Sequence, residues 1–131
     1  MATPRESRAV LVVEDDPDIR ELLEEMLDAG GHRVFTASNG REALGVLERV
    51  KGPFLVLLDL MMPVMSGFAF LEEVQRRPEF GRVSVLLISA NAQVEQAARG
   101  TGVVGFVKKP FELDDVLALV DAHARRPTPL A

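Results

Sequence analysis

Cysteine is absent from the 131 residues, which excludes a disulfide framework and any thiolate-bound metal, and fits a reducing compartment. No apolar run approaches the length of a bilayer span, so no membrane partner is expected. The stretch from Met1 to Arg8 lacks the apolar core of a signal peptide, and a cytoplasmic location is expected. No G-x-G-x-x-G or Walker pattern follows a strand-like run, which leaves glycine-loop nucleotide binding without support. An excess of basic residues is also missing. The formal net charge of -5 argues against a general nucleic-acid surface, while leaving room for a local basic patch. Internal repeats and low-complexity blocks are absent as well.

What remains is an ordinary globular composition, 47% hydrophobic and 27% charged, in a chain long enough for one domain and too short for two. Five apolar runs read as strands: Ala9 to Val13, Arg33 to Ala37, Phe54 to Leu58, Val83 to Ile88 and Val103 to Val107. The second alternates more than the others, as an edge strand would. Helical spacing recurs between them. Ile19, Leu22, Leu23, Met26 and Leu27 mark a helix capped by Asp16, with Pro17 in its first turn and Gly30-Gly31 behind it. Asn39 caps a second helix that buries Ala43 and Leu47. Phe70, Leu71 and Val74 stripe a third, and Val94, Ala97 and Ala98 a short fourth. Leu113, Val116, Leu117 and Val120 stripe the last, with Asp114 and Asp115 in its first turn and Arg125-Arg126 at its end. Five strand-helix alternations predict an α/β fold, a doubly wound parallel sheet with helices on both faces in three layers.

In such a sheet, ligands gather beyond the carboxyl ends of the strands. Four of the five runs end there in chemistry: Glu14 and Asp15, Asp59, Ser89 and Lys109. Asp59 follows an apolar run that would be buried on both faces, where a bare carboxylate costs several kcal/mol. Three acids brought together repel, and one must take up a proton unless a cation sits among them. Oxygen ligands without His or Cys favour a hard cation, and Mg²⁺ typically accompanies phosphate. A lysine and a hydroxyl facing the same point suit phosphoryl oxygens. The set reads as phosphoryl transfer to Asp59, with an acyl phosphate formed on its carboxylate.

With these residues in place, positions 8 to 124 resemble a receiver domain of the two-component response regulators, of the single-domain chemotaxis-regulator kind. The resemblance rests on Val12-Val13-Glu14-Asp15-Asp16, on Asp59 followed by Met62-Pro63 and Gly67, on Ser89-Ala90, and on Lys109-Pro110-Phe111. It implies a flavodoxin-like five-stranded sheet of strand order 2-1-3-4-5. It also implies that Asp59 is phosphorylated by a sensor histidine kinase or phosphotransfer protein, and that the phosphorylated state controls an unidentified downstream protein. Mg²⁺ would be held by Asp15, Asp59 and the backbone carbonyl of Met61, with Glu14 acting through water. Ser89 and Lys109 would contact the phosphoryl oxygens across a cis Lys109-Pro110 bond. Phe106 stands at the aromatic switch position that answers to Ser89. Such a domain is no enzyme beyond its own phosphorylation and dephosphorylation. Glu14 stands where Asp is commoner, Ser89 where Thr is, and Phe106 where Tyr is frequent. The Ser89 to Phe106 segment is shorter than usual.

Plainer roles are assigned to the neighbours. Asp16 is a helix cap, Lys108 a solvated charge on the opposite face from Lys109, and Met61, Met62 and Met65 pack the loop. His32 and His123 are expected at the surface. The tail from 125 to 131 reads as frayed chain or the stub of a linker. Two other functions compete. A phosphorylation-independent interaction module would have the same fold with an incomplete site. An aspartyl phosphatase would need a second acid two residues after the nucleophile, where Met61 stands. Met61 and Asn91, beside the site, suggest no strong catalysis of acyl-phosphate hydrolysis.

Overall fold

Alternation of side chains along each strand divides the interior into two cores. The chain is seen here in a computed structural model that describes residues 8–60, 65–90 and 102–125, with Ser89 described by its backbone alone. The strands are β1 (Ala9–Val13), β2 (Val34–Ala37), β3 (Phe54–Asp59), β4 (Val83–Ser89) and β5 (Val103–Lys108), and the helices among these residues are α1 (Pro17–Ala29), α2 (Gly40–Arg49), α3 (Gly67–Arg76) and α4 (Leu113–Ala124). All strand pairs are parallel, in the order β2-β1-β3-β4-β5. Leu11, Val13, Val56 and Leu58 face one side, against Ala43 and Leu47 of α2 and Phe70 of α3. Val10, Val12, Leu55 and Leu57 face the other, against Leu23 and Leu27 of α1 and Val116 and Val120 of α4. Each such leucine contributes about 1.5–3 kcal/mol by leaving water.

The helix starts follow the capping logic of the sequence. Asp16 Oδ1 accepts from the backbone N–H of Asp18 at 2.9 Å, with Pro17 opening the helix. Asn39 Oδ1 accepts from Glu42 N–H at 2.9 Å. Glycine at positive φ, Gly31 at 89°, turns the chain behind α1. A single turn of 3-10 helix, Pro78–Phe80, carries the chain from α3 towards β4. The expected helix around Val94, Ala97 and Ala98 lies outside the described residues.

His32 departs from expectation. It is buried, not at the surface, and its Nε2 lies 3.3 Å from Asp121 Oδ1. The turn after α1 packs down onto the end of α4, so a position that is loop by pattern is interior by contact. Burial first, and the Arg125 charge second, hold its pKa below the ordinary value against the pull of Asp121.

Parity also aims the strand ends. Glu14 is two residues beyond Val12, and Asp59 is two beyond Leu57, so both point to the α1/α4 side. Lys109 is two beyond Val107 of the same core. An irregularity opposite Val85/Leu86 sets this phase in β5, because Val85 pairs with Val103 and Leu86 with Gly105.

Gly67 ties α3 to the tip of β3. A methyl group built there would lie 2.5 Å from Leu60 Cα and 2.6 Å from the Asp59 carbonyl oxygen. Both contacts are with backbone, which cannot swing aside. Gly67→Ala is therefore expected to destabilise the fold by about 1–3 kcal/mol, as overpacking does. Chemical denaturation checks this, and an unchanged midpoint would show that the β3–α3 connection yields freely.

Candidate functional site

Glu14 and Asp59 are each 4% exposed at the carboxyl edge of the sheet. Lys109 bridges them: its Nζ lies 2.9 Å from Asp59 Oδ2 and 3.4 Å from Glu14 Oε1. Asp15 is exposed beside them, and one carboxylate oxygen from each of Glu14, Asp15 and Asp59 falls within 4.8 Å of the others. Glu14 Oε2 is buried and has no hydrogen-bond partner among the described residues. The Lys109-Pro110 peptide bond is cis.

One ammonium cannot balance three carboxylates. Burial, then the hydrogen bond to Asp59 and its charge, push the Glu14 carboxyl up to about 8, against the opposing pull of Lys109. On Lys109, burial lowers the pKa; the hydrogen bond and charge of Asp59, aided by Glu14, outweigh it and hold the ammonium above its ordinary value. At neutral pH the cluster is thus a protonated Glu14 beside a Lys109–Asp59 ion pair, with Glu14 Oε2 buried and without a hydrogen-bond partner among the described residues. An all-oxygen donor set with one unsatisfied buried acceptor fits a hard divalent cation better than it fits a proton.

A family model described as the response regulator receiver domain matches residues 10–121. The chain belongs to the response regulator receiver family. An uncharacterised 14.6 kDa protein of Leptolyngbya boryana is 37% identical over 116 residues, covering 87% of this chain and 88% of that protein. The chemotaxis response regulator CheY4 of Vibrio cholerae has a solved structure 28% identical, with a TM-score of 0.79 over 88% of this chain and 97% of that one. The receiver domain of the Pseudomonas aeruginosa sensor histidine kinase PA1611, solved with magnesium coordinated in its active-site cleft, is 26% identical, with a TM-score of 0.75 over 88% of this chain and 95% of that one. This chain spans about half the length of several other curated relatives it matches, some of them named transcriptional regulators. Receivers are signalling domains whose output depends on phosphorylation, and they bind Mg²⁺ in an acidic active site; this chain has an acidic cluster of Glu14, Asp15 and Asp59.

Of the residues singled out in the sequence, the receiver fold brings Glu14, Asp15, Asp59 and Lys109 together. Phe106 is half-buried against the α2/α3 core. Met61, its backbone carbonyl and Asn91 lie outside the described residues, as does the Ser89 side chain; the Ser89 backbone pairs with Lys108 at the end of β4. Sequence reasoning missed Arg20, whose Nη1 donates to the Glu14 carbonyl oxygen at 2.9 Å. That contact ties α1 to the strand end that carries two of the acids. The signal was available: Arg20 stands one turn into a helix that begins directly at the acidic loop.

The Glu14 shift carries a stability consequence. The folded state holds the Glu14 proton up to about pH 8, whereas an unfolded glutamate releases it near 4.5. Its contribution is therefore complete below pH 4.5 and is lost as pH rises through 8. Without metal, Glu14→Gln is expected to be more stable than the wild type at pH 8.5 by about 1–3 kcal/mol, the cost of an unsatisfied buried acceptor, and to lose that advantage at pH 4. Thermal unfolding of both proteins at the two pH values checks this. Equal differences at both would mean that Glu14 is charged throughout.

Proposed function

We propose that Asp59 is the phosphoacceptor of a receiver unit spanning residues 8–124, with 125–131 as tail or linker. The single observation that carries this reading is the buried Asp59 carboxylate at the end of β3, 2.9 Å from Lys109 Nζ. Asp59 attacks the phosphorus of a phosphohistidine on a sensor kinase or phosphotransfer protein. A P–O bond forms on Asp59, the P–N bond breaks, and the imidazole leaves as the neutral base after protonation. Asp15, Asp59 and the Met61 carbonyl would hold Mg²⁺, with Glu14 through water, and the ion would screen the charge gathering on the transferred oxygens. Lys109 then moves its ion pair from the Asp59 carboxylate to a phosphoryl oxygen, and the Ser89 hydroxyl takes another. The neutral acyl linkage leaves the former carboxylate without charge, so Lys109 must follow the phosphate. That change of partner is the switch, and Phe106 would register it by moving further into the α2/α3 core.

The donor would dock beside this site. A mostly apolar groove of about 500 Å³ is lined by Ile19, Leu22, Pro110, Phe111 and Leu113 and reaches Lys109. Leu22 is 43% exposed there despite its apolar side chain. The product, a phosphorylated receiver, would act on a downstream protein or on an output domain of a longer regulator.

Incubation with Mg²⁺ and acetyl phosphate is expected to add one phosphoryl mass to the intact protein, and chelator or Asp59→Asn to abolish it. A phosphoryl adduct on the Asp59→Asn protein would move the acceptor elsewhere. Lys109→Ala is expected to retain metal binding while slowing phosphorylation by a factor on the order of 10². Leu22→Glu is expected to slow transfer from a phosphorylated kinase at least tenfold without changing the rate with acetyl phosphate. Equal slowing with both donors would place Leu22 in the chemistry and not in docking.

A further inference from the structure

Glu14, Asp15, Asp16 and Asp18 crowd the start of α1, and Arg20 is the only lysine or arginine between Ala9 and Gly31. A cation in the first turn of a helix opposes the macrodipole, so helix stability does not account for Arg20. Nor does a surface ion pair. Helical spacing offers Asp16 four residues before it and Glu24 four residues after it. Arg20 pairs with neither, nor with any other acid among the described residues. It is half-buried, and among the described residues its guanidinium makes one hydrogen bond, to a neutral group: the Glu14 carbonyl oxygen, at 2.9 Å.

That bond completes a bracket around Asp15. Side chains on a helix tilt towards its amino end, so a residue one turn into α1 reaches back over the loop that feeds it. The Arg20 backbone N–H donates to the Asp16 carbonyl oxygen at 2.9 Å, as the helix requires. The guanidinium takes the carbonyl on the other side of Asp15, that of Glu14. The Glu14 N–H is held in turn by the Ala37 carbonyl oxygen at 3.1 Å, at the end of β2. Asp15 itself is exposed, and its carboxylate has no hydrogen bond or ion pair among the described residues. Its position is therefore set by its backbone, and Arg20 is the one side chain among the described residues that holds the Glu14–Asp15 peptide.

We infer, on the reading of Glu14, Asp15 and Asp59 as a Mg²⁺ site, that Arg20 is a positioning residue for that site. It orients the Glu14–Asp15 peptide so that the Asp15 carboxylate, otherwise untethered, faces the same point as Asp59. Mg²⁺ demands near-ideal octahedral oxygen ligands at about 2.0–2.1 Å, so a loop that wanders loses affinity for it. The sign of the effect separates this role from plain electrostatics. Arg20 is a cation close to a cation site, and its charge alone repels the ion. Removing the charge by itself would tighten Mg²⁺ binding, whereas removing the positioning contact loosens it. Contacts that orient metal ligands from behind are typically worth on the order of 10–100-fold in affinity, so the loss of order wins.

The test is a titration of the full chain with MgCl₂, without phosphodonor, followed by the backbone amide shifts of Asp15 and Asp59. Arg20→Met keeps the aliphatic stem and loses every donor; it is expected to weaken Mg²⁺ binding about tenfold or more. Arg20→Lys keeps a donor and the charge, and is expected to recover part of the loss. With acetyl phosphate, the slower labelling of Arg20→Met is expected to approach the wild-type rate as Mg²⁺ is raised to saturation, because occupancy and not the chemistry is impaired. Melting temperatures in chelator isolate the effect on folding. A lower melting temperature with unchanged Mg²⁺ affinity would make Arg20 a structural residue and overturn the inference. So would tighter Mg²⁺ binding by Arg20→Met, no rescue by Arg20→Lys, or no Mg²⁺ binding by the wild type. Failure of the phosphoacceptor reading looks different: Mg²⁺ binding that depends on Arg20, with no phosphoryl adduct on the wild type, would sink that reading and leave the role of Arg20 standing.

Discussion

The contact between the Lys109 ammonium and the Asp59 carboxylate decides how the acidic end of the molecule is arranged. Asp59 is 4% exposed, at the tip of a strand whose every residue is buried, and a carboxylate there needs a cation within reach. Lys109 supplies one, at 2.9 Å. It can do so because β4 separates β3 from β5 in the sheet, which leaves a long side chain to span the gap from the end of β5. Having one cation for two buried acids, the pocket settles the remainder by raising Glu14 to about 8. The same shortage leaves the pocket suited to ligands: an added cation would favour the charged form of Glu14, and a phosphate would compete with Asp59 for Lys109.

This shortage is produced by topology. A parallel sheet gathers like ends of all its strands on one edge, so loops that follow strands share one neighbourhood and loops that precede them share the other. The chain has placed Glu14, Asp15 and Asp59 in the first group, and Arg8, Arg33 and Lys51 in the second. Helix dipoles complement both choices. The amino terminus of α1 opens directly behind the acid pair, and the carboxyl ends of α1 and α4 meet Arg125 at the opposite edge. The net charge of -5 conceals this polarity, because a sum over the chain carries no information about which edge holds which sign.

Side-chain parity explains how much of this was legible from residues alone. The strand runs, the caps at Asp16 and Asn39, and the choice of Lys109 over Lys108 all rest on local periods of 2 or 3.6, which survive folding unchanged. The sheet order and the cis peptide came from resemblance, since neither leaves a periodic trace. His32 was misplaced because its burial comes from α4, some ninety positions away, and no window of sequence contains that contact. Arg20 was passed over for a related reason. A helix pattern says which face is apolar, but not that one polar side chain will reach back to the carbonyl of a strand end.

Leu60 and Gly67 show how tightly the chemistry is tied to packing. Leu60 N–H continues the ladder to Ile88 at 3.2 Å, and its carbonyl oxygen accepts from Gly67 N–H at 3.1 Å. The chain leaving Asp59 is therefore pinned on one side by β4 and on the other by the first residue of α3, with no room for a side chain between them. A group added to Asp59 would have to be accommodated on the open side, towards Asp15 and Lys109, because the backbone behind it cannot retreat. Fixing Asp59 in this way costs adaptability at one residue, and new charge placed there would act on the side chains around it and not on the backbone behind it. The side chains around it are less constrained: Asp15 is exposed and Lys109 only partly buried. A fixed Asp59 beside less constrained side chains suits a switch, since a pocket that yielded everywhere would absorb a new charge without transmitting it.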